Sequence, residues 1–346
     1  MARSLSRDAV AARSPAPGPL PTVSVLLPSY NHASYIGGAL AALAAQTRPP
    51  DEILVIEDAS TDDSLAVIES FMDELPQLRI LRNPHNLGVN DALNRGLSEA
   101  RGSHVVCSAA DDWLEPEFIQ RLSQAAAAYP AAPLCVSNYV QYYEGDRRRI
   151  YHRRDSELGP WYASDHPEYF SPDEFRAFLT RGFVWLPLNA SLVKRSALLA
   201  INGYDPCLRW HADWFAMYTL AFRHGFAVVP EPLSVFRMST HGYSGTGMRD
   251  PQQQREVCAA IYQKLHDPAF ADIREALRRY PVTMGTFFRP MVRMLASRPR
   301  EWGYLGSLAR WWLNEVAHGR RPRILRDFTA KFGNRPFSPS ARAPSA

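Results

Sequence analysis

The chain has 346 residues, of which 46% are apolar and 21% charged, an ordinary globular balance that excludes a disordered or fibrous protein. Its four cysteines, Cys107, Cys135, Cys207 and Cys258, show no C-x-x-C spacing. That excludes a cysteine-rich zinc module, argues against a disulfide scaffold and suits a reducing compartment. The formal net charge of +4 divides unevenly. Residues 22–250 hold 19 basic and 27 acidic groups, whereas residues 251–346 hold 17 basic and 7 acidic ones.

Residues 1–21 are rich in Pro, Ala, Ser and Arg and lack the apolar run of a secretory signal, so a disordered leader is expected. Val23 to Pro28 (VSVLLP) reads as a buried parallel strand, and a helix is predicted from about His32–Ser34 onward. Ile53 to Glu57 (ILVIE) is the second strand, followed by the turn-and-cap run Asp58-Ala-Ser-Thr-Asp-Asp and a helix. Leu78–Leu81 is a third strand. A loop, NPHNLG, and another helix lead to a fourth strand, His104 to Ser108. This alternation is the signature of an open α/β sheet, in which ligands gather at the carboxyl ends of the strands.

The second half is less regular. A helix is predicted over Ser171–Thr180, with Ser171 as cap and Pro172 at its first position. Strands are predicted at 189–193, 227–229 and 233–236, and an apolar helix from Asp213 to near Gly225. The segment HGYSGTG reads as a flexible loop, and the chain beyond Asp250 as helical. No apolar run reaches the ~18 residues of a membrane span. Residues 336–346 match the leader in composition and form a disordered tail by the same reasoning.

Three strand ends carry polar groups that one crevice can collect: Ser29-Tyr30-Asn31, Asp58, and Asp111-Asp112. Adjacent carboxylates repel, a situation a divalent cation relieves, and Mg²⁺ typically takes one or two carboxylates plus substrate phosphates. The same dipeptide also suits a helix N-terminus. Asp58 either caps the following helix or accepts hydrogen bonds from a nucleobase. Tyr30 can stack on a base, while turn chemistry alone accounts for Asn31. Asn86 and Gly88 form a turn or bring backbone N–H groups to a phosphate. Asp213 is either an N-cap or a general base facing a cleft. No H-E-x-x-H, G-x-S-x-G or Walker pattern occurs.

Together, VSVLLPSYNHASYI, QTRPPDEILVIEDASTDDS, NLGVNDALNRGLSEARGSHVVCSAADDWLEP and NASLVKRSALLAINGYD…HADWFAMYTLAFRHG resemble family-2 glycosyltransferases of the GT-A fold. The resemblance spans residues 22–247. It implies an α/β, Rossmann-like, mostly parallel open sheet with flanking helices over residues 22–250; beyond it, the sequence pattern alone predicts a helical basic extension over 251–335. It also implies an inverting transferase that moves a sugar from a nucleoside-diphosphate donor, UDP by way of Asp58, to a glycan or lipid-linked acceptor. Pro28, Tyr30 and Asn31 would line the nucleotide pocket, with Asn86, Gly88 and Asp111 also on the donor. Asp112 would hold Mg²⁺ or Mn²⁺, and Asp213 would be the base. Two departures stand out: the family often reads L-D-x-D-D where this chain has Ser108-Ala109-Ala110-Asp111-Asp112, and Asp-Asp where it has Glu57-Asp58.

Two other readings compete. A nucleotidyltransferase would need a Gly-rich, basic loop after the first strand, where this chain has Pro-Ser-Tyr-Asn-His. A non-catalytic nucleotide-sugar binder would not need both Asp112 and Asp213. Nucleic acid is not an expected partner. Tyr142, Trp161, Tyr162, Trp185 and Trp210 are either sugar-stacking or core aromatics. In the basic extension, Trp302, Leu305, Ala309, Trp312 and Val316 share one helix face, with Arg300, Arg310, Arg320, Arg321, Arg323 and Arg326 within or beside it. That composition suits an interfacial helix and predicts a cytoplasmic enzyme in peripheral contact with the inner membrane face; the same pattern also suits a helix packed on its own protein.

Overall fold

The computed structural model describes residues 18–143, 148–151, 164–238 and 243–317. The leader up to residue 17, Trp161, Tyr162, Arg320 to Arg326 and the tail lie outside the described residues. The chain divides into two compact units, residues 1–238 and 239–346, so the first ends twelve residues before the boundary predicted at 250.

The first unit opens with the alternation read from the sequence: β1 (Val23–Ser29), α1 (Ala33–Ala44), β2 (Glu52–Glu57), α2 (Ser64–Glu69), β3 (Leu78–Arg82), α3 (Val89–Glu99) and β4 (His104–Cys107). β1 lies between β2 and β4, all parallel, and β3 extends the sheet beyond β2. Helices on both faces demand apolar residues on both sides of each strand, and Val25, Leu26, Leu27 and Ile53 to Ile56 are fully buried. α1 turns Ile36, Leu40 and Leu43 inward at steps of four and three.

β5 (Trp113–Leu114), α4 (Phe118–Ala128), β6 (Leu134–Tyr143), β7 (Arg148–Tyr151), β8 (Glu168–Phe170), α5 (Pro172–Leu179), β9 (Ser191–Lys194), α6 (Arg195–Ala200), α7 (Ala212–His224) and β10 (Phe226–Arg237) complete the unit. Here the sheet turns mixed, in the order β3-β2-β1-β4-β9-β6-β10-β5. β9 runs antiparallel to both β4 and β6. α5 carries the predicted cap as a full capping box between Ser171 and Glu174. The strands predicted at 227–229 and 233–236 are one strand, β10, whose register on β6 slips twice around Pro232. Proline cannot donate to the ladder, and a bulge absorbs it.

A small buried network ties the amino-terminal ends of β1 and β2 together. Ser24 Oγ donates to Glu52 at 2.7 Å and accepts from the Gly102 N–H at 2.9 Å. A Cβ on Gly102 would stand 2.6 Å from the Ser24 backbone nitrogen. Gly102→Ala is therefore expected to destabilise the fold by about 1–3 kcal/mol. Thermal melting checks this, and an unchanged Tm would show that the backbone yields there.

The second unit holds α8 (Tyr243–Arg249), α9 (Pro251–His266), α10 (Ala271–Arg279), α11 (Phe288–Ala296) and α12 (Trp302–Ala317). The HGYSGTG segment predicted as a loop ends in α8, because only its first residues precede the helix. Asp250 caps α9 through the N–H groups of Gln252 and Gln253. Buried Glu301 gathers Arg278 at 2.5 Å and the Tyr262 hydroxyl at 3.2 Å. On α12, Tyr304 and Leu308 are buried, while Trp302 and Leu313 stay 59% and 65% exposed. The inward face is thus offset from the one predicted through Trp302 and Ala309, and Trp302 remains on the solvent side. Among the described residues no helix is long and apolar enough to cross a membrane.

Candidate active site

The carboxyl ends of β1, β2, β4 and β10 carry the polar groups. At the end of β1, Asn31 takes a left-handed backbone with φ of 55°. Its N–H donates to Ser60 Oγ at 3.0 Å, and its Oδ1 accepts from the Thr61 N–H at 2.8 Å. Ala59, on the loop after β2, is left-handed as well, with φ of 60°. Non-glycine residues in this region are uncommon, and two at neighbouring strand ends mark a backbone held for shape. Tyr30, just before Asn31, is 40% exposed, and Pro28 is still within β1.

Asp58 does not cap a helix. α2 begins six residues later, and Asp62 rather than Asp58 takes the Ser64 N–H. Asp58 is buried and accepts from Asn83 Nδ2 at 2.6 Å, the Leu87 N–H at 2.9 Å and the Gly88 N–H at 2.9 Å. Gly88 reaches that position with φ of 86°, and Asn86 Oδ1 accepts from the same N–H. Asp58 thus organises the β3–α3 loop. A cavity of about 520 Å³ opens beside it, lined among others by Glu57, Ser60, Arg82 and Asn83.

Asp111-Asp112 does not begin a helix either: β5 follows, and α4 starts only at Phe118. Asp112 is 7% exposed. Its Oδ1 accepts the Arg237 N–H at 2.7 Å, and its Oδ2 accepts from Asn189 Nδ2. Burial pushes its carboxyl well above the usual carboxylate range, and the charge of Asp111 adds to this. The Arg237 Nε donates to the Asp111 carbonyl at 3.0 Å. Its guanidinium lies 4.9, 5.5 and 5.7 Å from the ring centres of Tyr35, Trp113 and Tyr142. Tyr35 belongs to α1, so Arg237 joins the end of β1 to the carboxylate pair.

Asp213 stands on the first turn of α7, one residue inside it, and its carboxylate accepts from the Trp214 N–H at 2.6 Å. Burial raises its pKa to about 6, and that N–H pulls the other way. Its charge is felt by the buried Tyr204 hydroxyl, which lies 3.4 Å from Cys107 Sγ at the end of β4. Neighbouring His211 is driven down to about 3 by burial and stays neutral. Two asparagines of α3 hold the segment before α7: Asn94 bonds both ways with Tyr204, and Asn90 Nδ2 donates to the Arg209 carbonyl at 2.9 Å.

Sequence reasoning missed Tyr35, Asn189, Arg237, Asn90 and Asn94. Arg237 carried the same signal as Asp58, a charged residue closing an apolar strand. Asn189 and the α3 asparagines sit beside hydrophobic runs, and only tertiary contact gives them a role. Trp210, offered as a sugar-stacking residue, is 8% exposed and belongs to the core. Trp185 packs on the Tyr139–Phe236 cluster, and Tyr142 flanks Arg237.

The strand-end carboxylates and the mixed sheet define a glycosyltransferase of the GT-A fold. The family described as Glycosyl transferase family 2 matches residues 24–185. The chain is 24% identical to the "Putative glycosyltransferase EpsH" of Bacillus subtilis over 267 residues, 77% of this chain and 74% of that one. Its fold is similar to S. aureus TarS 1-349 solved with UDP-GlcNAc, with a TM-score of 0.59, 17% identity, and 90% and 88% of the two chains covered. It is also similar to the mannosyltransferase PcManGT of Pyrobaculum calidifontis solved with GDP-Man and Mn²⁺, with a TM-score of 0.52, 18% identity, and 92% and 89% covered. The match over residues 24–185, the relatives and the fold together support a family-2 glycosyltransferase.

Proposed function

We propose that the chain is an inverting, metal-dependent glycosyltransferase that uses a nucleoside-diphosphate sugar and passes the sugar to a hydroxyl of a glycan or lipid-linked acceptor. The observation that carries this reading is the buried Asp112 beside Asp111, held between Asn189 and Arg237 at the end of the β4 segment. Two solved neighbours, TarS and PcManGT, hold a nucleotide sugar, and PcManGT also holds Mn²⁺.

The residues present fit a divalent cation. A carboxylate whose proton affinity is raised by burial and by a second carboxylate has an outstanding demand for positive charge. No group of three or more His, Cys, Asp or Glu ligands occurs among the described residues. That suits Mg²⁺ or Mn²⁺, which complete their oxygen shell with phosphates and water. Asp112 would hold the ion with Asp111 beside it, and a bound cation would act as a Lewis acid on the leaving diphosphate.

The protein's own groups do the rest. Tyr30 stacks on the base, and Asp58, which takes the Leu87 and Gly88 N–H groups, holds the β3–α3 loop in place beside the donor. Asp213 takes the proton of the acceptor hydroxyl as that oxygen bonds to the anomeric carbon and the bond to the diphosphate breaks. Displacement from the opposite face inverts the anomeric configuration. Arg237 and Asn189 are positioning residues that act through Asp112. Catalysis would take place in the cytoplasm, with the exposed Trp302 side of α12 as a peripheral membrane contact.

The test is release of nucleoside diphosphate from a panel of UDP- and GDP-sugars with Mn²⁺, with and without EDTA. Metal-independent release, or none from any donor, would overturn the reading. Asn189→Leu should raise the Mn²⁺ concentration for half-maximal turnover by about 10–100-fold, since groups orienting a ligand contribute that much to affinity. An unchanged metal titration would mean that Asn189 does not orient Asp112.

A further inference from the structure

The second unit contains a cleft of about 600 Å³ between α9 and α11, with Met248 of α8 also in its lining. Its volume lies within the roughly 300–1,000 Å³ of small-molecule sites. Arg255 of α9 and Arg289 and Arg293 of α11 line it, and no acidic side chain among the described residues does. The spacing explains the convergence. Arg289 and Arg293 are four apart on one helix face, and Arg255 precedes the floor residues Cys258 and Ala259 by one turn on the facing helix.

Several other cations of this unit have partners. Arg278 bonds Glu301, Arg298 lies 4.8 Å from the Tyr262 ring centre, and Lys264 lies 4.9 Å from that of Phe270. Arg255, Arg289 and Arg293 make no ion pair or ring contact among the described residues. Three like charges turned toward one cleft repel each other unless an anion joins them, and guanidinium is the side chain best matched to phosphate. The floor is of opposite character: Met248, Cys258 and Met294 offer no strong hydrogen-bond partner, and methionine adapts to flexible apolar matter. A free inorganic anion would use the rim and leave this floor bare.

We propose that this cleft binds a phosphate-headed lipid, with the headgroup on Arg255, Arg289 and Arg293 and the start of the hydrocarbon chain over Met248, Cys258 and Met294. None of these residues belongs to the strand-end site. The proposal does not rest on the donor, metal or base assignments, and its test needs no turnover.

The experiment is co-flotation of the full chain with phosphatidylcholine vesicles, with and without phosphatidic acid. Binding is expected only with phosphatidic acid. Removing one membrane-facing arginine weakens such binding by about fivefold, so Arg255→Gln, Arg289→Gln and Arg293→Gln combined should weaken it on the order of a hundredfold. All three arginines are exposed, and circular dichroism melting confirms that the variant folds. The charge-matched combination of Arg320→Gln, Arg321→Gln and Arg323→Gln should keep most of the binding. Ala259→Trp, which fills the floor without changing charge, should weaken it too. An equal loss in the charge-matched variant would reduce the effect to bulk electrostatics and overturn the proposal. So would full displacement by inorganic pyrophosphate of a protein indifferent to Ala259→Trp, because the occupant would then be a free anion.

Discussion

Asp112→Asn is expected to lower Mn²⁺-supported kcat/KM by roughly a thousandfold, the several kcal/mol that a metal Lewis acid supplies to a leaving group. The fold should survive. Asparagine is isosteric, its Oδ1 still accepts the Arg237 N–H, and Asn189 can rotate its amide to present oxygen instead of nitrogen. Burial raises the folded-state pKa of Asp112, so the ionised form is disfavoured in the fold at any pH above its unfolded value. Replacing it by a neutral amide removes that penalty, and Tm should not fall for electrostatic reasons. The measurements are nucleoside diphosphate release against Mn²⁺ concentration and a thermal melt. Turnover near wild type, with its Mn²⁺ dependence intact, would remove Asp112 from the metal site. A large drop in Tm alongside lost activity would make its role structural.

The parallel half of the sheet was legible because burial on both faces leaves little freedom: apart from Ser24 and Glu57, VSVLLP and ILVIE are apolar on both faces, as a strand covered by helices on two sides must be. The polar residues at those strand ends were legible for the same reason, as the first hydrophilic groups after a buried run. The mixed half was harder. β6 through β10 pair residues far apart in sequence, and β10 is broken by prolines into what read as two strands. Choosing between cap and functional group at Asp58 and Asp112 also needed tertiary contact. Both dipeptide contexts suit a helix start, and the partners that exclude it, Asn83, Asn189 and Arg237, lie 25, 77 and 125 residues away.

Asp213→Asn is expected to lower kcat by about 10²–10⁴-fold, the usual contribution of a positioned general base. Donor affinity should hold, because the group acts on the acceptor. The pH profile separates this from a structural effect. Burial raises Asp213 to about 6, so it is protonated and unable to accept a proton below that value, and becomes the active carboxylate above it. The wild-type kcat/KM should therefore climb as pH rises through about 6, rather than through the ordinary aspartate range near 4. In Asp213→Asn that limb should vanish along with most of the rate, whereas Asp213→Glu should keep a limb at reduced rate. Stability gives an independent control. A carboxylate raised from 3.8 to about 6 by burial makes the folded state pay for its ionisation at neutral pH, and the asparagine variant should melt at or above the wild-type temperature. Donor affinity falling in parallel with kcat would instead make Asp213 a donor ligand, and a melting temperature well below wild type would make it a support for α7.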